Sequence, residues 1–210
     1  MTSPWIHSFA AIAIVLPAFL VALSVHEFSH ALAATLFGDD TPGRMGRLTL
    51  NPLAHIDPIG LLCLLLIRIG WARPVIFDHR NFAFPRTQRI LTALAGPFSN
   101  YIIGLIGLYC LKYVPFGSFA PSVGTSLKQI FEAVTYINIM LGTFNLLPIP
   151  PLDGGHVIMT FVEEFYPRYA RFIYQYSFFI LLLIFVIPST KYYLMYAIKG
   201  VAQLIEKLVL

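Results

Sequence analysis

Four uncharged stretches constrain this chain most: Phe9–Ser24, Ile90–Leu111, Ala133–Leu152 and Phe172–Thr190. Each approaches or exceeds the roughly 17–20 residues that an α-helix needs to cross a hydrocarbon core. A soluble domain carries about 25% charged residues. Here 11% of 210 residues are charged and 58% are hydrophobic, with a mean hydropathy of +0.75. So few polar side chains cannot cover a water-facing surface, and the expectation is an all-α multi-pass membrane protein. The first stretch has no Lys or Arg ahead of it, none before Arg44, and runs on into His26, Glu27 and His30. A cleaved leader wants basic residues before its apolar run and small residues after it, so this stretch reads as a retained helix.

Cys63 and Cys110 both lie in apolar sequence and form no disulfide framework. The formal charge of +4 is spread through the connections, which excludes it as an argument for nucleic acid. Seven of the 14 Lys and Arg residues lie between Gly38 and Arg89, namely Arg44, Arg47, Arg68, Arg73, Arg80, Arg86 and Arg89. The positive-inside rule places that block on the cytoplasmic side. Within it the apolar run from Pro58 to Ile67 is ten residues long, too short to span, and reads as a re-entrant segment.

Alternation then sets the order. The first helix runs inward and ends near Phe37, a second from Ile90 to Leu111 runs outward, and the connection Lys112–Lys128 is external. A third returns through Ala133 to Leu147, Arg168 and Arg171 face the cytoplasm, and a fourth leaves from Phe172 to Ile187. The tail from Tyr192 to Leu210 is either a last span or an interfacial amphipathic helix. The expectation is about five transmembrane helices in one domain, residues 1–210. Its catalytic core covers about residues 8–160, with accessory helices over about 170–210.

Chemistry concentrates at His26-Glu27-Phe28-Ser29-His30, a complete H-E-x-x-H pattern. Residues four apart share a helix face, so both imidazoles can reach one metal ion, with Glu27 beside them as a base. Zinc suits two imidazoles plus a carboxylate with one position open. It acidifies water, whose proton Glu27 is placed to take. Three ionisable groups at the end of a membrane run point by default to function. The alternative is a metal-free His–Glu network.

The candidates for a third ligand are His55, Asp57, Asp78, His79, Asp153 and His156. Asp153 follows Asn145-Leu146-Leu147-Pro148-Ile149-Pro150-Pro151-Leu152, whose prolines cannot continue a helix. Open backbone at membrane depth requires a protein-lined or hydrated cavity. An Asp there can bind metal, or equally can N-cap the next helix. His156 is open to the same reading.

Four landmarks in order carry a resemblance: His26 to His30; Asn51-Pro52-Leu53-Ala54-His55-Ile56-Asp57-Pro58-Ile59-Gly60; Ala95-Gly96-Pro97-Phe98-Ser99-Asn100; and Asn145 through Leu152-Asp153-Gly154. Over about residues 20–160 the chain resembles the site-2 proteases, zinc intramembrane metalloproteases of regulated intramembrane proteolysis. It is most similar to their small form, without a PDZ or nucleotide-sensing domain.

The resemblance implies one Zn2+ per chain held by His26, His30 and Asp153, with Glu27 as general base and acid. It also implies that Asn145 orients substrate or steadies the tetrahedral intermediate. His55 and Asn100 are read as support for the site: His55 fastens a loop over the zinc, and Asn100 joins two inner helices. The segment Gly70-Trp71-Ala72-Arg73-Pro74-Val75 is similar to the family, whereas Ile76-Phe77-Asp78-His79 departs from its Pro-Val-Asn-Pro wording.

The expected partners are a transmembrane protein substrate, the bilayer and a regulatory partner, but no nucleic acid. The expected location is a prokaryotic plasma membrane, with the site toward the cytoplasm. Two other functions compete. A membrane zinc hydrolase could act on a lipid amide, and a non-enzymatic metal transporter or scaffold could use the same histidines. A transporter calls for polar groups through several helices and internal repeats, and no repeat is evident.

Overall fold

Proline punctuates this chain, and the helices start where it falls. In a computed structural model, residues 9–67 and 70–209 are described, and they are helical apart from short connections. In chain order the helices are α1 (Phe9–Leu36), α2 (Thr41–Arg44), α3 (Pro52–His55), α4 (Pro58–Ile67), α5 (Pro85–Tyr113), α6 (Pro121–Asn145), α7 (Asp153–Phe165), α8 (Pro167–Val186) and α9 (Pro188–Val209). Six of these begin on Pro, and α2 has Pro42 at its second position. The missing N–H costs nothing there, because the first N–H groups of a helix have no intrahelical partner.

Helices α1, α5 and α6 pack against one another as the inner bundle, with α7, α8 and α9 around it. Small residues let α5 and α6 approach. A side chain on Gly104 would meet Ile139, and one on Gly107 would meet Thr135. Close backbone approach through small residues is how helices associate where lipid removes the hydrophobic drive between them.

The distribution of polarity is inverted relative to a soluble protein. Thr92, Asn100, Thr135, Asn138 and Thr143 are buried inside the bundle, whereas Phe98, Ile102, Ile106, Phe179, Leu183 and Val186 are exposed on its outside. Such contiguous apolar surface needs a nonaqueous neighbour. Among the described residues, three helices are long and apolar enough to cross a membrane by length and composition: Ala13–Leu36, Pro85–Tyr113 and Pro167–Val186.

The short run Pro58–Ile67 is a ten-residue helix. At 1.5 Å per residue it covers about 15 Å, half of a hydrocarbon core. Arg68, which bounds it in the sequence, lies outside the described residues. The returning chain pairs Ala72 with Ile56 in an antiparallel bridge, and Arg73 N–H donates to His55 O at 2.8 Å. The two ends of the excursion therefore lie side by side.

One expectation is corrected. The connection placed at Lys112–Lys128 is only Val114–Ala120, because α6 starts at Pro121. Its Ser and Thr residues do not break the helix: Thr125 Oγ donates to Pro121 O and Ser126 Oγ to Ser122 O, each one turn back. At the other end α6 stops at Asn145, and the Pro-rich segment to Leu152 is irregular, as its composition requires. The tail forms α9, which packs on α6 and α8.

Candidate metal centre

The middle of α1 presents His26 and His30 one turn apart toward α5. Their Nε2 atoms lie 3.1 Å apart, with the rings edge to face. Gly96 on α5 makes room for them, since a side chain at that position would collide with both imidazoles. The third group arrives from the far end of the chain. Asp153 Oδ2 is 3.0 Å from His26 Nε2, and Oδ1 is 3.3 Å from His30 Nε2. The three ligand atoms lie within 4.8 Å of one another.

Local sequence explains how Asp153 is held. Gly154 and Gly155 lie against the backbone of Leu146, Leu147, Ile149 and Pro150, with no space for a side chain at either position. The first turn of α7 is thereby seated on the irregular segment. The N-cap of α7 is Leu152, and Asp153 is the first helical residue. The capping alternative for Asp153 is thus set aside, and its carboxylate points to the histidines.

The outer nitrogen of each ring is committed. His30 Nδ1 donates to the main-chain oxygen of Thr92 at 2.7 Å, and His26 Nδ1 to Asn100 Oδ1 at 2.6 Å. A neutral imidazole carries one N–H, so both Nε2 atoms then carry lone pairs. Two lone pairs facing at 3.1 Å repel, and Asp153 Oδ2 is buried without a hydrogen-bond donor. His26 is 4% and His30 6% exposed, so little water reaches the cluster. Three bare donors converging in a buried space fit a cation, and two imidazole nitrogens with one carboxylate suit zinc.

Glu27 is 8% exposed and stands apart from the three ligand groups. Its Oε2 accepts from Val75 N–H at 3.2 Å, on the extended segment that returns from α4. That segment is anchored further on by Asp39, just past α1. Asp39 Oδ2 accepts from Asp78 N–H at 2.6 Å, and Oδ1 accepts from Asn81 Nδ2 at 2.8 Å and from the Thr41 hydroxyl at 2.6 Å. Burial would push this carboxyl up, but those donors outweigh it and leave its pKa lowered.

The other candidates from the sequence fall outside the cluster. His55 is buried, and its Nε2 donates to Thr49 O at 2.8 Å while its main-chain oxygen receives Arg73 N–H, so it fastens the turn beneath the returning segment. Asp57 caps α4 by accepting from Gly60 N–H at 2.8 Å. Asp78 pairs with Arg80, His79 is exposed, and the ring of His156 lies beside Tyr174. Asn145 is half-buried at the end of α6, and its Nδ2 donates to Leu141 O at 3.0 Å. Asn100 touches the site directly, beyond the helix-joining role read for it. Thr92 and Asn138 were not found from the sequence. A main-chain carbonyl leaves no sequence mark, whereas an Asn in an apolar run is a signal that was there to use.

Comparison with known proteins bears on this centre. The profile of Peptidase family M50 matches residues 116–184. "Putative zinc metalloprotease YwhC" of Bacillus subtilis is 39% identical over 177 residues, covering 83% of this chain and 81% of the relative. "Putative zinc metalloprotease Rip2" of Mycobacterium tuberculosis is 28% identical over 180 residues, with 83% and 67% covered. "Zinc metalloprotease MJ0392" of Methanocaldococcus jannaschii is 23% identical over 146 residues, with 70% and 33% covered. No solved structure matches the chain significantly.

Proposed function

The chain belongs to peptidase family M50 and is a zinc metalloprotease, and from that premise we propose that it hydrolyses peptide bonds of transmembrane substrates within or beside the bilayer. The observation that carries this reading is the cluster of His26, His30 and Asp153, with Glu27 next to His26 in the chain, inside a bundle whose outer surface is apolar. His26, His30 and Asp153 hold the metal, one ion per chain. When bound, zinc polarises the scissile carbonyl and lowers the pKa of water.

The chain's own residues do the rest. Val75 N–H steadies Glu27 through Oε2, leaving Oε1 to accept the proton of the attacking water and hand it to the leaving amine. Asn145 supplies an amide donor to the carbonyl oxygen as it gains charge. His55 holds the turn that carries the returning segment past Glu27.

The domain is a single unit in which α1, α5 and α6 form the core and α8 and α9 are accessory. Helices α1, α5, α6, α8 and α9 make five crossings, and α4 dips in and returns. Half of the Lys and Arg residues lie between Gly38 and Arg89, which supports a cytoplasmic site in a prokaryotic plasma membrane. Substrate enters from the bilayer, and a regulatory partner controls its access.

The Glu27→Gln protein tests the mechanism. It keeps the carboxylate's shape without its basicity, so it should retain one zinc per chain by metal analysis while cleavage of a transmembrane reporter peptide falls below about 1% of wild type, a loss at the scale of general-base catalysis. Substantial turnover by Glu27→Gln would assign the base to another residue.

A further inference from the structure

Asn138, on α6, touches no metal ligand, yet it is completely buried beside Asn100, which does. Asn100 Nδ2 donates to Asn138 Oδ1 at 2.9 Å and to Ala22 O, on α1, at 3.1 Å. Asn138 Nδ2 donates to Val134 O at 2.8 Å. We infer that Asn138 is a positioning residue that sets the tautomer of His26, acting through Asn100.

The direction of the relay is forced by chemistry. Main-chain oxygens only accept hydrogen bonds, so Val134 O fixes the NH2 end of Asn138 and turns its oxygen toward Asn100. Ala22 O and that oxygen together claim both hydrogens of the Asn100 amide. The oxygen of Asn100 is therefore left facing His26 Nδ1, which must carry the proton, and Nε2 is bare toward Asp153 and His30. A flipped Asn100 would set its oxygen against two acceptors at once. With Asn138 removed only Ala22 O opposes that flip, and the reversed amide would call for the proton on Nε2, where a metal could not bind. Three helices thus co-operate on one proton in a fully buried space. In such a setting a misdirected polar group is costly, and outer partners of a ligating His govern its affinity.

This inference rests on the zinc-site reading for its purpose but not for its test. Metal-free protein containing 15N-histidine, held at a pH where the imidazoles are neutral, reports each tautomer by 15N shift, with His26 assigned from the His26→Gln protein. Wild type is expected to show His26 in the Nδ1–H form. Asn138→Ala should show a mixture of tautomers and bind zinc about tenfold more weakly, in the range seen for outer-sphere partners. Asn138→Asp restores both, because its neutral carboxyl donates to Val134 O and accepts from Asn100. An Nε2–H form in wild type overturns the proposal without any variant. So does a folded Asn138→Ala protein that keeps one tautomer and wild-type affinity. If wild type shows the Nδ1–H form but binds no zinc, the metal reading fails and the relay stands.

Discussion

Asn145 holds its amide in reserve. Its Nδ2 donates to Leu141 O, one turn back in its own helix, a bond that adds little to helix stability and is readily exchanged. The proposed role asks the same hydrogen to turn to the scissile carbonyl when substrate binds. Asn145→Ala should then fold and load zinc normally while cleavage falls by about 10²–10³, the usual loss for one such donor. Cleavage per zinc-loaded molecule and thermal midpoint, measured on one sample, decide this; unchanged cleavage removes Asn145 from the reaction. At this scale the sequence is informative wherever a role belongs to a side chain with a fixed spacing, as for His26 and His30. It is less so for Asp153, one of six candidates on chemistry alone, singled out only by the resemblance of its Leu-Asp-Gly motif before the fold brings it to the rings. It is silent on Thr92, whose contribution is a main-chain oxygen that any residue carries.

Among the elements, the segment that returns from α4 depends most on a single anchor. Asp39 joins the end of α1 to the turn at Asp78–Asn81, and that turn fixes the chain that passes Glu27. Hydrogen bonds to a charged group contribute about 1.5–3 kcal/mol, so Asp39→Asn should lower stability by about 2 kcal/mol at neutral pH. The pKa of Asp39 is depressed in the fold, so its stabilisation is complete above the unfolded value of about 3.9. It is lost as pH falls through the lower folded value. Thermal melts in detergent should therefore show the gap between wild type and Asp39→Asn narrowing as pH falls below about 4. A gap independent of pH would show that the charge is not what holds the turn. The long apolar helices were legible from uncharged length, and the break after Asn145 from proline. The early start of α6 was not, because Ser and Thr that look like loop composition bond back to their own helix.

For the whole molecule, the bridge between Ile56 and Ala72 supports the proposal that the flanks of α4 share one face of the membrane. In a protein freed of its own thiols by Cys63→Ala and Cys110→Ala, Arg44→Cys and Arg80→Cys should react with impermeant reagent from the same side. Reaction from opposite sides would make α4 a true crossing and overturn the topology. The fold class was plain from composition because lipid leaves few options to an uncharged stretch, whereas the meeting of α1 with α7 depends on packing that no local pattern encodes. That meeting bears on biosynthesis. His26 and His30 emerge from the ribosome early, Asn100 and Thr92 later, and Asp153 only after α6 is complete. With the metal held as proposed, a nascent chain carries Glu27 and two imidazoles in the membrane well before its third ligand exists, and it stays inert toward its neighbours, and toward itself, until Asp153 has been made.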